Sequence, residues 1–248
     1  MQLPEKCLLN KKLTKAFFKR NFPLTLSERK MLDDANIILQ MDWIASIKPQ
    51  NSNIAAYIDA DYAFEEIQII TAMLSDDELE QHTNKVIDLI QKYIPYPLLL
   101  VVYDSNKCLW NTASKRIHLN DATKRTIESS LCTEWIDIDY PKENHQLFLK
   151  QCAFEYLDKH NLKTCYQSFE SNITSLQAAS VIGEYIIRPV ERVKADVLKM
   201  QTIKALENEI IVLRNKALKE TQLSTQVEIN AQVQNKLRQI ESLKNDIR

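Results

Sequence analysis

The chain has 248 residues, 45% of them hydrophobic and 26% charged, and its 32 Lys and Arg against 33 Asp and Glu leave a formal charge of -1. That composition can bury a core in one large or two small domains, which excludes disorder as the default state. The charge balance excludes a surface built all round to wrap nucleic acid and leaves room only for a local basic patch.

A single glycine, Gly183, excludes more. Phosphate-cradling loops and dinucleotide turns need glycine where backbone approaches the ligand, so no P-loop, Rossmann fingerprint or kinase loop is present. A nucleophile elbow fails on the same ground. The five cysteines (Cys7, Cys108, Cys132, Cys152 and Cys165) are odd in number, far apart and free of C-x-x-C pairs, which reads as reduced packing residues and no metal centre. Residues 1–20 carry Lys6, Lys11, Lys12, Lys15, Lys19 and Arg20 but not the apolar core of a signal peptide. No apolar run approaches the ~18 residues of a membrane span, so the expected compartment is the cytoplasm.

In chain order, Thr25 with Glu28 forms a capping-box pattern, and Leu32, Ala35, Leu39 and Trp43 follow at helical spacing; together they predict a helix over 27–47. Turn-prone residues 48–53 end it and 54–58 read as a short strand. After Asp59-Ala60-Asp61, the β-branched apolar run 67–74 reads as a central strand buried on both faces and paired with 54–58 in a hairpin. Ser75 with Glu78 repeats the capping box ahead of a helix striped by Leu79, Val86, Ile90 and Tyr93 and stopped by Pro95 and Pro97. The most apolar strand, 98–103, is expected to lie parallel to 67–74 through that helical crossover. A turn at 104–107 leads into an antiparallel strand over 108–112, with further strands at 116–119 and 131–138 and an amphipathic helix over 142–160.

Beyond Ser171 the pattern is helical, divided by Pro189. Leu206, Ile210, Leu213 and Ala217 recur at spacings of four, three and four, and Val233, Leu237, Ile240 and Ile247 largely keep heptad phase, which predicts two coiled-coil-like helices. Residues 194–248 hold 10 Lys and Arg against 7 Asp and Glu, leaving 22 against 26 for the rest. Such a charge-laced tail fits a solvated hairpin or an oligomerisation arm better than a nucleic-acid arm.

Two clusters carry candidate chemistry. Asp59, Asp61, Glu65 and Glu66, followed by Gln68, invite comparison with nucleases of the restriction-endonuclease fold, which hold Mg²⁺ between an Asp and an Asp or Glu on adjacent strands and end the motif in x-Lys. Here Glu66-Ile67-Gln68 has Gln in the Lys place, about seven residues separate Asp59 from Glu66, and acidic residues crowd ordinary turns for local hydrogen-bonding reasons. The hairpin-turn reading leads, and a degenerate nuclease-like fold reconciles the two. The stretch from Lys11 and Lys12 through Lys15, Phe17, Phe18, Lys19 and Arg20 could grip phosphates and stack bases. The favoured reading instead anchors the two phenylalanines on the fold with the cations in water. His82 and His145 read as helix-surface residues, His118 as flanking a strand and His160 as a helix C-terminal cation, none at metal-ligand spacing.

Four segments together, Asn10-Lys11-Lys12-Leu13-Thr14-Lys15 with Phe17 or Phe18, Glu66-Ile67-Gln68-Ile69, Ile94-Pro95-Tyr96-Pro97 and Val227-Glu228-Ile229-Asn230, resemble a bacterial domain-of-unknown-function family. That family is encoded beside helicase and type III restriction-modification genes. The resemblance implies a setting in phage defence or restriction and brings no catalytic residues with it.

The expected architecture is α/β, a mixed sheet flanked by helices over 1–190 and compatible with the restriction-endonuclease topology, followed by a helical, coiled-coil-like tail over 191–248. The leading functional expectation is a non-catalytic accessory subunit without cofactor that binds a helicase or methyltransferase of a defence system, with self-association through the tail as a further option. A Mg²⁺-dependent nuclease using Asp59 or Asp61 with Glu66, and a nucleic-acid-binding module using Lys11 to Arg20, are the alternatives.

Overall fold

The structure, a computed structural model, describes residues 2–248 and all their side chains except those of 122 and 123; Met1, which opens the basic amino-terminal stretch, lies outside them. Its layers follow from one property of two strands. In β5 (Ile67–Leu74) and β6 (Leu98–Tyr103) apolar residues fill both alternating sets, and alternate residues of a strand face opposite sides of a sheet. Ile67, Ile69, Leu99 and Val101 enter one core, and Ile70, Ala72, Leu74, Leu98, Leu100 and Val102 enter the other. A strand pair buried on both faces must lie at the centre of three layers. The two run parallel, Gln68 against Leu98 and Ile70 against Leu100, joined by the crossover helix α4 (Leu79–Tyr93), as expected.

Around this pair the sheet grows antiparallel on both sides. The order is β1 (Leu8–Lys12), β2 (Ile38–Ile47), β5, β6, β7 (Lys107–His118) and β8 (Asp121–Cys132), with the short β9 (Ile136–Asp137) also on β7. One face packs on α4 together with α1 (Lys15–Asn21) and α2 (Leu26–Asp33) through Phe18, Met31, Leu32, Val86 and Ile90. The other packs on α5 (Glu143–Gln151) and α6 (Leu162–Ile182) through Phe148, Cys165, Tyr166, Phe169 and Ile173. The mixed α/β class is thus as expected. Gly183 ends α6 in the left-handed region at φ +88°, a position where a side chain would be strained.

Several elements differ from expectation, each for a local reason. The helix predicted over 27–47 stops at Asp33, and β2 takes over from Ile38. Its capping box is real, since Glu28 N–H donates to the Thr25 hydroxyl and the Glu28 carboxylate accepts from Thr25 N–H; but a cap fixes where a helix starts, not where it ends. Beyond Asp34 the β-prone residues Ile38, Trp43 and Ile47 pair with β5, so Leu39, expected in the core, is 52% exposed. The strand expected over 54–58 shrinks to β3 (Tyr57–Ile58), which pairs with β4 (Ala63–Phe64) in a sheet of its own after the helical turn α3 (Pro49–Ser52). No hairpin joins it to β5, whose antiparallel neighbour is β2.

The second capping box does not form. Only the Ser75 carbonyl accepts from Glu78 N–H, while the Glu78 carboxylate turns forward to His82 at 2.8 Å. The strands expected at 108–112 and 116–119 are one strand, β7, and its partner β8, rich in Thr, Ser, Lys and Arg, extends back to Asp121 from the expected 131. The helix expected over 142–160 ends at Gln151, and α6 begins at Leu162 behind a cap in which Asn161 accepts from Thr164 N–H. His145 is buried against Glu134 at 2.7 Å rather than on a surface, and His160 precedes α6 instead of closing a helix.

After Pro189 come α7 (Val190–Lys219) and α8 (Leu223–Ile247). Lys236 pairs with Glu209 and Lys199 approaches Asp246 at 3.9 Å, so partner numbers fall as α7 rises and the helices run antiparallel. Their seam buries Ile203, Ile210, Val233, Ile240 and Ile247, and α6 joins it through Ala178, Val181 and Ile182. Val193 and Val197, at the start of α7, pack in the main core.

The two-faced burial of β6 has a measurable consequence. Leu99→Ala leaves a cavity at a fully buried position and should destabilise by about 2–4 kcal/mol in chemical denaturation. Leu39→Ala, on the exposed side of β2, should cost well under about 1 kcal/mol. A large loss at Leu39 would restore the helical reading of 27–47.

Candidate functional site

Asp59 is a turn residue. Its carboxylate accepts the backbone N–H groups of Asp61 and Tyr62 at 2.9 and 2.7 Å and the Tyr57 hydroxyl at 2.8 Å, with the Lys163 ammonium of α6 at 3.8 Å. The Tyr57 hydrogen bond, followed by those backbone donors, holds its pKa below the ordinary value. Asp61 gives its carbonyl to Ile117 N–H at 2.7 Å, and its side chain and that of Glu65 are exposed.

Glu66 belongs to a different group. It sits one residue before β5 and accepts the Ser46 hydroxyl at 3.0 Å and the Lys48 ammonium at 2.7 Å, both from the end of β2. Gln68, buried beside it, accepts the Trp43 indole N–H at 2.6 Å and donates to Ser46 at 3.3 Å. The fold therefore links Glu66 to Gln68 through Ser46, whereas Asp59 and Glu66 share no hydrogen-bond partner among the described residues. Where Gln68 offers an amide, Lys48 brings a cation to Glu66 from the neighbouring strand. Among the described residues no three His, Cys, Asp or Glu side chains gather as a metal cluster would, and all five cysteines are free thiols.

One layer out, Lys115 is buried on β7 and donates to the carbonyls of Ile94 and Tyr96 at 2.7 and 3.1 Å, closing the C-terminal end of α4. Burial, reinforced by the Arg125 charge, pushes its amine down to about 7. Burial and then the Glu66 charge push the Tyr96 hydroxyl up.

The basic amino-terminal stretch divides. Lys15 donates to the Asp34 carbonyl at 2.9 Å and Lys19 pairs with Asp33, both clamping α1 to α2. Phe18 is buried, packed edge-on with Phe17 and tilted against Phe22, which stacks on Tyr93 at 5.1 Å. Lys11 and Lys12 are exposed on β1, the edge strand, where charged side chains discourage pairing with another sheet. Arg20 is exposed on α1.

The hairpin holds residues that sequence reasoning did not single out. Arg188 and Asp196 pair at 2.7 Å with side chains only 2% and 1% exposed, and the same Arg188 nitrogen donates to the Ile247 carbonyl at 2.7 Å. Arg192 and Lys199 donate to the Asp246 carbonyl at 3.0 and 3.2 Å, so three cations collect at the C-terminal, electronegative end of α8. An Arg one residue before the dividing Pro189 was the available signal, though a lone Arg does not announce its partner. At the far end Ile211, Val212, Leu218, Leu223 and Val227 remain exposed, Leu218 at 84% and Leu223 at 75%.

Residues 1–240 match the model of a family described as a domain of unknown function, DUF4391. The chain belongs to that family. No curated protein and no solved structure matches it. Among the described residues of this DUF4391 chain no helix is long and apolar enough to cross a membrane.

Two predictions concern the buried charges. Arg188→Met should destabilise the protein by about 3 kcal/mol, because it leaves the buried Asp196 with only the partly exposed Arg192 guanidinium at 3.6 Å, whereas Arg188→Met combined with Asp196→Leu should recover most of the loss. A double-mutant cycle read by denaturant titration measures both, and additive losses would contradict the pairing. For Lys115 the folded pKa of about 7 lies below the ordinary 10.5, so between those values the unfolded chain binds more protons and stability rises with pH. The melting temperature of the wild type should therefore rise from pH 7 to pH 9 relative to that of Lys115→Met, whose difference from wild type should otherwise stay flat.

Proposed function

We propose that this chain is a non-catalytic accessory subunit that binds a protein partner, a helicase or methyltransferase of a bacterial phage-defence or restriction system, through the hairpin of α7 and α8. The supporting observation is that the hairpin completes its own seam and is tied to the linker that follows α6 by a buried ion pair, yet keeps large aliphatic side chains in water at its far end. Exposed apolar side chains gathered on a rigid projection mark an interaction site more often than a fault in packing. Asp59 and Glu66, by contrast, already have local partners.

One observation favours a second reading. Lys48 sets an ammonium on Glu66, which is the carboxylate and lysine combination a metal-dependent nuclease uses to hold a cation and orient water. What counts against it is the partner set of Asp59, which closes a turn on other groups.

The two readings separate in one set of purifications. Co-expressed with a helicase or methyltransferase of a defence system from its own host, the protein should elute as a stoichiometric complex, and the pair Leu218→Asp with Val227→Asp should dissociate that complex without changing the melting temperature. The protein alone should not cleave DNA or RNA with Mg²⁺ or Mn²⁺. Metal-dependent nicking that disappears in Glu66→Ala and in Lys48→Ala, with both variants folded, would establish the nuclease reading instead.

A further inference from the structure

The exposed apolar residues of the hairpin are not scattered. Ile211 and Leu218 lie seven residues apart on α7, and Leu223 and Val227 four apart on α8, so each pair shares a face of its helix. At about 100° per residue, Ile211, Leu218 and Leu223 sit roughly a quarter turn, and Val227 roughly a third of a turn, from their own seams, Ile203 with Ile210 on α7 and Val233 with Ile240 on α8, all in the same rotational sense. In two antiparallel helices facing each other across a seam, that common sense brings both pairs to the same flank. The result is one aliphatic strip of four side chains beside the turn at 220–222, running along the groove between the helices. Val212 lies on the opposite flank, with Leu213, Gln232 and Lys236 around it.

We propose that this strip is the seat of an amphipathic helix from another protein, one that carries an aliphatic stripe flanked by Asp and Glu. The inference rests on the partner-binding reading and names the chemistry of its partner. A helix laid along a groove between two helices adds a third member to the bundle and covers all four side chains, the recognition mode in which apolar anchors repeat at three and four residues.

Charge selects among the occupants. On the same rotation Arg214 and Lys219 fall on either side of Ile211 and Leu218, whereas Lys216 falls on the far face of α7 and Glu207 stands one turn before Ile211. A second copy would bring two such cationic ends together, whereas acidic flanks on a partner helix would meet them with complementary charge. Nucleic acid is the poorer match because residues 190–248 contain no Phe, Tyr or Trp, and base stacking needs aromatic faces. Four aliphatic residues on the strip ask for apolar cover instead.

The test uses the full chain and two synthetic helical probes, a 21-residue peptide with leucine at heptad a and d positions and glutamate on both flanks, and its twin with lysine in place of glutamate. In fluorescence anisotropy the acidic peptide should bind the wild type and the basic peptide should bind at least about tenfold more weakly. Leu218→Asp, or the milder Leu218→Ser with Val227→Ser, should weaken the acidic peptide by about tenfold or more, since both positions are exposed and the fold does not need them. Arg214→Glu with Lys219→Glu should reverse the preference toward the basic peptide.

Equal binding of the two peptides, or acidic-peptide binding that survives the Leu218 and Val227 substitutions, overturns the proposal. So does a wild-type dimer in light scattering that Leu218→Asp abolishes, or tighter capture by anionic phospholipid vesicles or a single-stranded oligonucleotide than by the acidic peptide. Failure of the broader reading looks different: a natural partner complex that persists in Leu218→Asp with Val227→Asp refutes this seat while leaving a protein-binding role intact, and absence of any complex with a helicase or methyltransferase of its own host leaves the peptide results to stand or fall alone.

Discussion

The direction of the hairpin depends on one buried contact. Arg188 stands at the end of the segment linking α6 to α7, and its guanidinium meets both Asp196, two turns into α7, and the last carbonyls of α8. One side chain thus ties the beginning of the first helix to the end of the second. Its own carbonyl accepts the Ser171 hydroxyl and its N–H donates to Ser175, so the same residue is also stitched to α6. Desolvating two charges is expensive and the mutual attraction repays that only with good geometry, so an apolar pair could fill the space at similar stability. An apolar pair would not, however, choose between the rotations of α7 that an ion pair with a second bond to the α8 terminus distinguishes.

The same reasoning applies at the opposite end of the molecule. The cluster of Ser46, Lys48, Glu66 and Gln68 collects where β2 finishes and β5 begins, around the buried polar side chain of β5, Gln68. Gln68 occupies a core position, and its amide is satisfied by the Trp43 indole and the Ser46 hydroxyl, so the polar group is held at no unpaired cost. Glu66, at the rim, has its charge met by Lys48 while retaining partial access to water. Such a pair both closes the edge of the layer and keeps a carboxylate poised, and this is why the geometry is compatible with a structural role and still gives the nuclease reading its one supporting contact.

What the sequence made legible follows from range. β5 and β6 are readable because both faces are buried and apolar residues fill both alternating sets, and the crossover follows from the amphipathic helix between them. The hairpin helices were readable because their seam has a period. β2 was misassigned because Leu32, Ala35, Leu39 and Trp43 keep helical spacing by coincidence, and only pairing with β5, a long-range event, decides against it. β8 was invisible for the opposite reason: an edge strand with exposed Thr, Ser and charged residues has no apolar alternation to read. At the candidate sites, the turn chemistry of Asp59 was legible locally, whereas Lys48 against Glu66 and Arg188 against Asp196 and Ile247 are products of tertiary placement.

The distribution of aromatic residues ties these strands of argument together. All three tryptophans and every phenylalanine and tyrosine lie before Pro189, where they build the two cores that flank the sheet, and the hairpin is left with aliphatic residues alone. Aliphatic helix surfaces discriminate partners poorly by shape, so specificity at the far end of the hairpin has to come from where the charges stand around the strip. Arg214 and Lys219 stand on either side of Ile211 and Leu218 on α7, while residues 1–193 hold 22 Lys and Arg against 26 Asp and Glu. On the reading proposed above, a partner helix with acidic flanks would meet complementary charge at the strip and a mild excess of like charge on the sheet domain.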